Sequence, residues 1–268
     1  MKMRRQLLLL ALLLVGMASC KYAGRAFGPQ DEGGIYLIIA VKADGAQMDG
    51  AVAQTINVMQ KRCNELNIYC KAERVGGGKP NQIKLRISSP KEDPERVKGV
   101  ILSQGLEMRA VVSPPGQPRP QTYPTQAQAE ESAGADKDVL PYPAAANGSD
   151  FRTFVVVERT PIVNGQSIID AKAVTSALDP KMYDVTFKLN PEGGRRLGEW
   201  TGSHVEHYIA VVLNKEVRSV AMVKSQIFDE GVITSNFTRE QAEDAALVLK
   251  SGNLPAPIEA LEEGTYTP

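Results

Sequence analysis

Short apolar runs alternate with amphipathic stretches along the chain, and this pattern predicts a mixed α and β structure. Residues 35–41, IYLIIAV, are apolar throughout, which favours a strand buried on both faces. Apolar positions then recur at spacings of four, three, four and three, which predicts a helix with one buried stripe. That stripe consists of Val52, Ile56, Met59, Cys63 and Leu66. Strands at 68–75 and 82–88 follow, joined by a glycine-rich hairpin loop.

A second helix and a fourth strand complete the first unit. Asp93 and Pro94 are typical of a helix start, and residues 106–112 have strand character. The resulting order, βαββαβ with two crossovers, is typical of a ferredoxin-like layer. We therefore predict an α+β fold whose base spans residues 33–112, with the C-terminal residues 258–268 as a segment that can join it.

The middle of the chain differs in composition. Residues 113–150 contain seven prolines and many small polar residues, which predicts a linker or excursion, with one or two helical turns near Thr125. A second unit, predicted over residues 151–257, begins with the strand-like run FRTFVVVERTPIV. It continues with a capped helix after Asn190 and a hairpin that turns at Asn214.

The last helix of this unit is marked at both ends. Thr238 and Gln241 have the spacing of a capping box. Small apolar residues on one face predict that the helix lies close against a sheet; they are Ala242, Ala245, Ala246 and Leu249. Gly252 suits the helix end, and Pro255 and Pro257 keep the following chain extended.

Composition indicates a globular chain and gives no sign of nucleic-acid binding. Apolar residues make up 43% and charged residues 23% of its 268 residues. Formal charge is zero for the whole chain, and without three basic residues near its start 28 basic and 31 acidic residues remain. That balance does not favour nucleic acid or an anionic surface as a partner.

The first twenty residues have the pattern of an export signal. Basic residues precede a short apolar core at 7–15, and small residues then precede Cys20. Residues 17–20 resemble a bacterial lipobox, which predicts Cys20 as a lipidated N-terminus, although a signal cut without lipid attachment is the alternative. No later run reaches the ~18 apolar residues of a membrane span. We expect a protein of the cell envelope that faces the periplasm on a lipid anchor.

Few residues suggest reaction chemistry. Cys63 and Cys70 can form a disulfide in an oxidising compartment, or they can be two buried thiols. His204 and His207 are the only histidines and lack further metal ligands nearby in sequence. The chain contains no nucleophile elbow, phosphate loop or dinucleotide fingerprint. We therefore predict no enzyme activity, no cofactor and no metal.

Several segments resemble a known family in the same order along the chain. Residues 237–257, FTREQAEDAALVLKSGNLPAP, resemble the end of the first periplasmic domain of SecD, a protein-export subunit of the bacterial Sec machinery. Residues 58–68 are similar to the family segment that contains Arg-Val-Asn, with Cys63 in place of Val. Residues 93–96, followed by residues 106–109, match the next family segment, and residues 163–171 resemble a further one. The resemblance covers about residues 33–268 and implies a base and a head.

What the resemblance implies is binding of polypeptide. It implies that base and head swing relative to each other while they hold an unfolded or translocating chain, with Sec translocon components as candidate partners. Hinges are expected at Ser113 and Pro114, and at Pro255 and Pro257. Because SecD takes energy from proton flow through its membrane helices, we expect this chain to act passively or to depend on another protein for energy. The alternative is an envelope scaffold or adaptor that kept the fold without an export role.

Overall fold

The structure, a computed structural model, describes residues 29–88, 92–143 and 151–268. The predicted export signal and Cys20 lie outside these residues. The described chain contains five α-helices and thirteen strands in three antiparallel sheets, which confirms the predicted α+β class. The helices are α1 (Met48–Glu65), α2 (Pro94–Ile101), α3 (Gln126–Ala133), α4 (Pro191–Ser203) and α5 (Arg239–Ser251). The strands are β1 (Gly34–Val41), β2 (Tyr69–Arg74), β3 (Gln82–Ser88), β4 (Leu106–Val111), β5 (Lys137–Tyr142), β6 (Thr153–Glu158), β7 (Val163–Asn164), β8 (Ile168–Thr175), β9 (Tyr183–Leu189), β10 (Tyr208–Leu213), β11 (Glu216–Met222), β12 (Glu230–Phe237) and β13 (Ile258–Tyr266).

The first sheet, with α1 and α2, forms the unit that we call the base. Its strand order is β13–β1–β3–β2. Apolar side chains of the two central strands and of both helices form one buried cluster that includes Ile39, Leu85, Met59 and Ile101. The helices therefore cover one face of the sheet, as expected for a ferredoxin-like layer.

The fourth strand of the base is not the predicted one. β4, expected to close the base at residues 106–112, lies in the second sheet, because Leu106 and Met108 pack into the apolar cluster of that part of the molecule. β13 takes its place and pairs along the whole of β1, from Gly34 opposite Tyr266 to Val41 opposite Ile258. The C-terminal segment thus completes the base.

The second sheet contains six strands. Their order is β11–β10–β4–β6–β5, and β7 pairs with β4. The predicted linker at 113–150 is wrong where β5 lies within it, whereas the helical turns predicted near Thr125 are present as α3. Thr125 caps α3, Ala129 packs beneath Val156, and β5 pairs with β6 along its whole length.

The third sheet, β12–β9–β8, packs against α5. The predicted capping box is confirmed: the Thr238 amide donates to Gln241 Oε1 (3.0 Å), and the Gln241 amide donates to Thr238 Oγ1 (3.2 Å). The predicted small stripe of α5 is buried. We call the second and third sheets with α3, α4 and α5 the head. It is inserted between α2 and β13.

Among the described residues, no helix combines the length and apolar character needed to cross a membrane.

Candidate functional site at the junction of base and head

The chain passes between base and head twice, and we call these two segments, residues 102–105 and 252–257, the crossings. The first leads from α2 to β4, and the second leads from α5 to β13. The Leu254 amide donates to the carbonyl oxygen of Gln104 (3.1 Å), which joins one crossing to the other. The Lys42 amide donates to the carbonyl oxygen of Pro257 (2.8 Å), which fixes the second crossing to the base. A movement of the head relative to the base must bend both segments.

Arg62 lies between the crossings. It belongs to the last turn of α1, and its side chain is fully buried. The guanidinium donates hydrogen bonds to five uncharged oxygens: the carbonyl oxygens of Val100 (3.3 Å), Ile101 (2.9 Å), Ser103 (2.5 Å) and Gly252 (2.8 Å) and the hydroxyl of Ser251 (2.9 Å). One side chain of the base therefore holds both crossings.

The charge of Arg62 is stabilised by helix ends. The C-terminal ends of α2 and α5 converge on the guanidinium, and each presents the negative end of its dipole. Burial lowers the pKa of Arg62 to about 10, which still leaves the side chain charged at neutral pH. The hydrogen bonds to carbonyl oxygens offset the cost of removing this charge from water.

Asn253 connects the second crossing to the head. Its Oδ1 accepts hydrogen bonds from the amides of Leu106 (3.1 Å) and Gly165 (3.1 Å). Gly105, at φ +109°, has no room for a larger residue, because a Cβ there would lie 2.0 Å from the same Oδ1. The absence of a side chain at Gly105 and Gly165 is what lets Asn253 approach both amides.

Asn214 makes the matching contact from the head to the first crossing. It occupies the turn between β10 and β11 with a positive φ of 54°, which Asn tolerates better than most residues. Its Oδ1 accepts from the Ser103 hydroxyl (2.8 Å) and the Gln104 amide (2.9 Å). Each crossing is thus held by an asparagine carbonyl.

Ion pairs across the junction join helices of base and head. Arg96 of α2 binds Asp244 of α5 through two parallel hydrogen bonds, Nε to Oδ2 (2.9 Å) and Nη2 to Oδ1 (2.7 Å). Asp244, with nearby Glu240 and Glu92, raises the pKa of Arg96. Lys61 Nζ donates to the Lys250 carbonyl oxygen at the end of α5 (2.7 Å). Polar contacts thus join α5 of the head to both helices of the base.

Two cavities flank the junction. The first, which we call the mouth cavity, has a volume of about 630 Å³ and lies between the second crossing and the six-stranded sheet. The second, which we call the wedge cavity, has a volume of about 350 Å³ and lies between α2 and the head. Its walls include the apolar side chains of Val100, Leu213, Phe237 and Val248, with Arg96 and Asp244 beside them. Both volumes fall in the range of ligand pockets.

Three acidic and three basic side chains line the mouth cavity, and three of the six form ion pairs with one another. Arg109 Nη1 donates to Asp138 Oδ2 (2.6 Å), and Arg109 Nε donates to Glu107 Oε2 (2.7 Å). Burial raises the pKa of Asp138, but hydrogen bonds from Arg109 and Arg159 outweigh it and hold that pKa below its usual value. The cavity therefore presents a polar wall that is neutral on balance.

The residues predicted from sequence are distributed unevenly around this site. Pro255 and Pro257 line the mouth cavity on the second crossing. Ser113 and Pro114 follow β4 within the head, away from both crossings. Whether either pair acts as a hinge stays a prediction.

The two cysteines lie close to the junction. Cys63, next to Arg62, is joined to Cys70 by a disulfide, with the two Cα atoms 5.9 Å apart. The bridge ties the last turn of α1 to β2. It therefore fixes the backbone that carries Arg62.

The histidines lie elsewhere. His204 stacks on Trp200 with ring centres 4.3 Å apart, and His207 meets His204 edge to face. Within the residues that the structure describes, no three His, Cys, Asp or Glu side chains are grouped to hold a metal ion. The absence of catalytic and metal-binding roles stays a prediction.

Three site residues were not predicted from the sequence: Arg62, Asn214 and Asn253. A signal for Arg62 was present, because it continues a second buried face of α1 at helical spacing, after Ala51, Thr55 and Val58. A charged residue on such a face requires partners inside the protein. Nothing local marked the two asparagines, because their partners are far away in the chain.

Comparison with known proteins gives consistent results. Residues 139–256 match the family described as SecDF, P1 head subdomain. Over 245 residues the chain is 31% identical to protein translocase subunit SecD of Koribacter versatilis, covering 91% of this chain and 44% of that protein. Over 220 residues it is 29% identical to SecD of Aquifex aeolicus, covering 81% of this chain and 40% of that protein. The chain thus spans less than half the length of these relatives.

Solved structures agree on the fold. The chain is similar to SecDF in its super-membrane-facing form, with a TM-score of 0.64 and 21% identity, over 91% of this chain and 32% of that one. It is also similar to a structure of SecDF described as a membrane component that enhances protein export. That match has a TM-score of 0.60 and 22% identity and covers 85% of this chain and 98% of that one.

Proposed function

We propose that this chain, which belongs to the SecD family as a relative of its P1 domain, acts in protein export by holding translocating or newly exported polypeptide. The observation that carries the proposal is the pair of cavities beside the two crossings. A polypeptide lodged there would contact base and head together. Its binding would therefore depend on how the head is placed on the base.

The chemistry of the two cavities suits different parts of an unfolded chain. In the mouth cavity, charged side chains such as Lys137, Glu130 and Lys215 offer partners for peptide groups. In the wedge cavity, Val100, Phe237 and Val248 provide an apolar wall for a side chain. An unfolded polypeptide offers both kinds of group, and a folded protein hides most of them.

Photocrosslinking tests this proposal. A benzoylphenylalanine placed at Lys215, which lines the mouth cavity, or at Gln241, which lines the wedge cavity, should crosslink to reduced, carboxymethylated α-lactalbumin. The same probe at Asn57, on the exposed face of α1, is the control. Native α-lactalbumin should crosslink weakly at all three positions. Equal crosslinking at Asn57, or no preference for the unfolded form, would contradict the proposal.

The proposal also includes a cellular location. The basic start, apolar core and small residues before Cys20 support a lipid anchor that holds the protein in the cell envelope, facing the periplasm. Metabolic labelling with an alkyne fatty acid should mark the wild-type protein and leave the Cys20→Ser variant unmarked. Labelling that survives this substitution would argue against Cys20 as the lipid site.

A second candidate is an envelope scaffold or adaptor without an export role. It is favoured by the pairing of Arg109, Glu107 and Asp138, because these groups already satisfy one another without a ligand. Co-purification from detergent-solubilised envelope separates the two. Recovery of Sec translocon components would support the export role, and recovery of other envelope proteins without them would support the scaffold.

A further inference from the structure

We infer that Arg62 is the pivot of the junction, the one side chain of the base on which both crossings bend when the head moves. This inference rests on the proposed function for its use, since a moving head matters only if the protein handles a polypeptide. Its structural content stands on the contacts of Arg62 alone. Arg62 is therefore a positioning residue and is not a contact for polypeptide.

The first step is that Arg62 reaches both crossings at once. Nη1 donates to the Ser103 carbonyl oxygen of the first crossing, and Nη2 donates to the Gly252 carbonyl oxygen of the second. The same guanidinium also holds the last residues of α2 and α5. A planar group with five donors can serve all these acceptors, whereas the three donors of a lysine ammonium radiate from a single nitrogen.

The second step is that Arg62 itself is held in place. Its neighbours Met59 and Cys63 are fully buried in the apolar cluster of the base. The Cys63–Cys70 disulfide ties the same turn of α1 to β2. The backbone that carries the guanidinium thus belongs to the rigid part of the base, and the contacts that change during bending are those of its side chain.

The third step is that the surroundings leave room for movement. Within the described residues, the apolar clusters of base and head are separate, so no shared apolar core fixes the head in one position. The wedge cavity lies beside Val100 and Ser103, next to the contacts of Arg62. The junction is therefore held by separate polar contacts, among which Arg62 reaches both crossings, and it is open at the wedge cavity beside them. This is the geometry of a hinge and differs from that of a continuous core.

Distance measurements on the full chain test the pivot. Spin labels attached through a keto amino acid at Asn57 of the base and Lys172 of the head leave every cysteine untouched, and both positions are exposed. The variant Arg62→Lys keeps the positive charge but loses the planar guanidinium with its five donors. We expect the population outside the main distance peak to rise by about tenfold, the factor for losing one hydrogen bond to a charged group.

Matched controls separate positioning from general stability. Labels at Asn57 and Lys79, both exposed in the base, should report one unchanged distance in Arg62→Lys. The variant Arg74→Lys alters a base arginine that, among the described residues, binds Asp49, and it should leave the head-to-base distances as in wild type. If Arg62→Lys does not fold, Ser251→Ala removes a single acceptor and should give a smaller broadening of the same distances.

The outcomes discriminate between the explanations. A lowered unfolding midpoint with unchanged head-to-base distances in both Arg62→Lys and Ser251→Ala would overturn the pivot and leave Arg62 as a stabilising core residue. If benzoylphenylalanine at Lys215 or Gln241 does not crosslink to unfolded polypeptide while Arg62 is intact, that result would instead count against the proposed function. Broader distances in Arg62→Lys with normal crosslinking in wild type would support both.

Discussion

Residue types at the junction follow from what surrounds them. Arg62 is charged inside the protein because the ends of α2 and α5 offer it carbonyl oxygens. Asn253 presents an oxygen to two amides, and this approach requires glycine at 105 and 165. A single added methyl group is therefore expected to matter more here than at most surface positions.

Gly105→Ala tests this crowding. The alanine Cβ would lie 2.0 Å from Asn253 Oδ1, at a φ of +109° that L-residues rarely adopt. We expect the free energy of unfolding to fall by about 3 kcal/mol, measured by urea titration followed through Trp200 fluorescence. Gly45→Ala is the matched control, because a Cβ there meets nothing within 4 Å. An equal loss in both variants would refute the crowding argument.

Asp138 predicts a pH effect. Its pKa lies below the usual value in the folded protein, so its ionised form stabilises the fold above the unfolded pKa of about 4. That contribution is lost as pH falls through the folded pKa. The stability difference between wild type and Asp138→Asn should therefore be largest near neutral pH and shrink on acidification. Urea midpoints at several pH values measure it, and a difference that grows in acid would contradict the sign.

At the level of elements, the sequence predicted types better than partners. The stripe of α1, the capping box of α5 and the turn at Asn214 are local patterns, and the structure contains each of them. β4 was assigned to the wrong sheet because either β4 or β13 can supply the last strand of the order βαββαβ. Only the packing of Leu106 and Met108 into the head decides between them, and that contact is not local.

The strand β5, within 113–150, was missed for a different reason. β5 contains Lys137, Asp138 and Pro141, which weaken its apolar pattern. It becomes a strand through pairing with β6, whose residues Val155, Val156 and Val157 are buried. Arg62 was missed for the same kind of reason, because its acceptors lie about 40 and about 190 residues further along the chain.

The disulfide predicts a stability change that starts in one element. Cys63 and Cys70 are seven residues apart, and closing so short a loop contributes about 2 kcal/mol in the chain-entropy account. We expect a reductant to lower the free energy of unfolding of the wild-type protein by about that amount. The double variant Cys63→Ala/Cys70→Ala should not respond to reductant at all. Wild type that is equally stable with and without reductant would refute the prediction.

For the whole molecule, the ion pair between Arg96 and Asp244 joins base and head, and its strength should depend on salt. A double-mutant cycle on Arg96→Gln and Asp244→Asn measures the pair, whose side chains are only 21% and 20% exposed. We expect a coupling free energy of about 1 kcal/mol at low salt that falls as salt is added.

The exposed pair Arg239 and Glu243, within α5, is the matched control for that cycle. Its coupling should be about 0.3 kcal/mol, as for exposed helix pairs. A coupling for Arg96 and Asp244 no larger than this would mean that the interface pair does not hold base and head together.

The pairing of β13 with β1 has a consequence for how the protein is made. These strands join residues from opposite ends of the described chain, so the base sheet is complete only after β13 has been synthesised. The head, by contrast, consists of consecutive residues and is available earlier. During its synthesis the protein should therefore pass through a stage in which the head has folded but the base sheet still lacks β13. At that stage the edge of β1 is open to pairing with other strands.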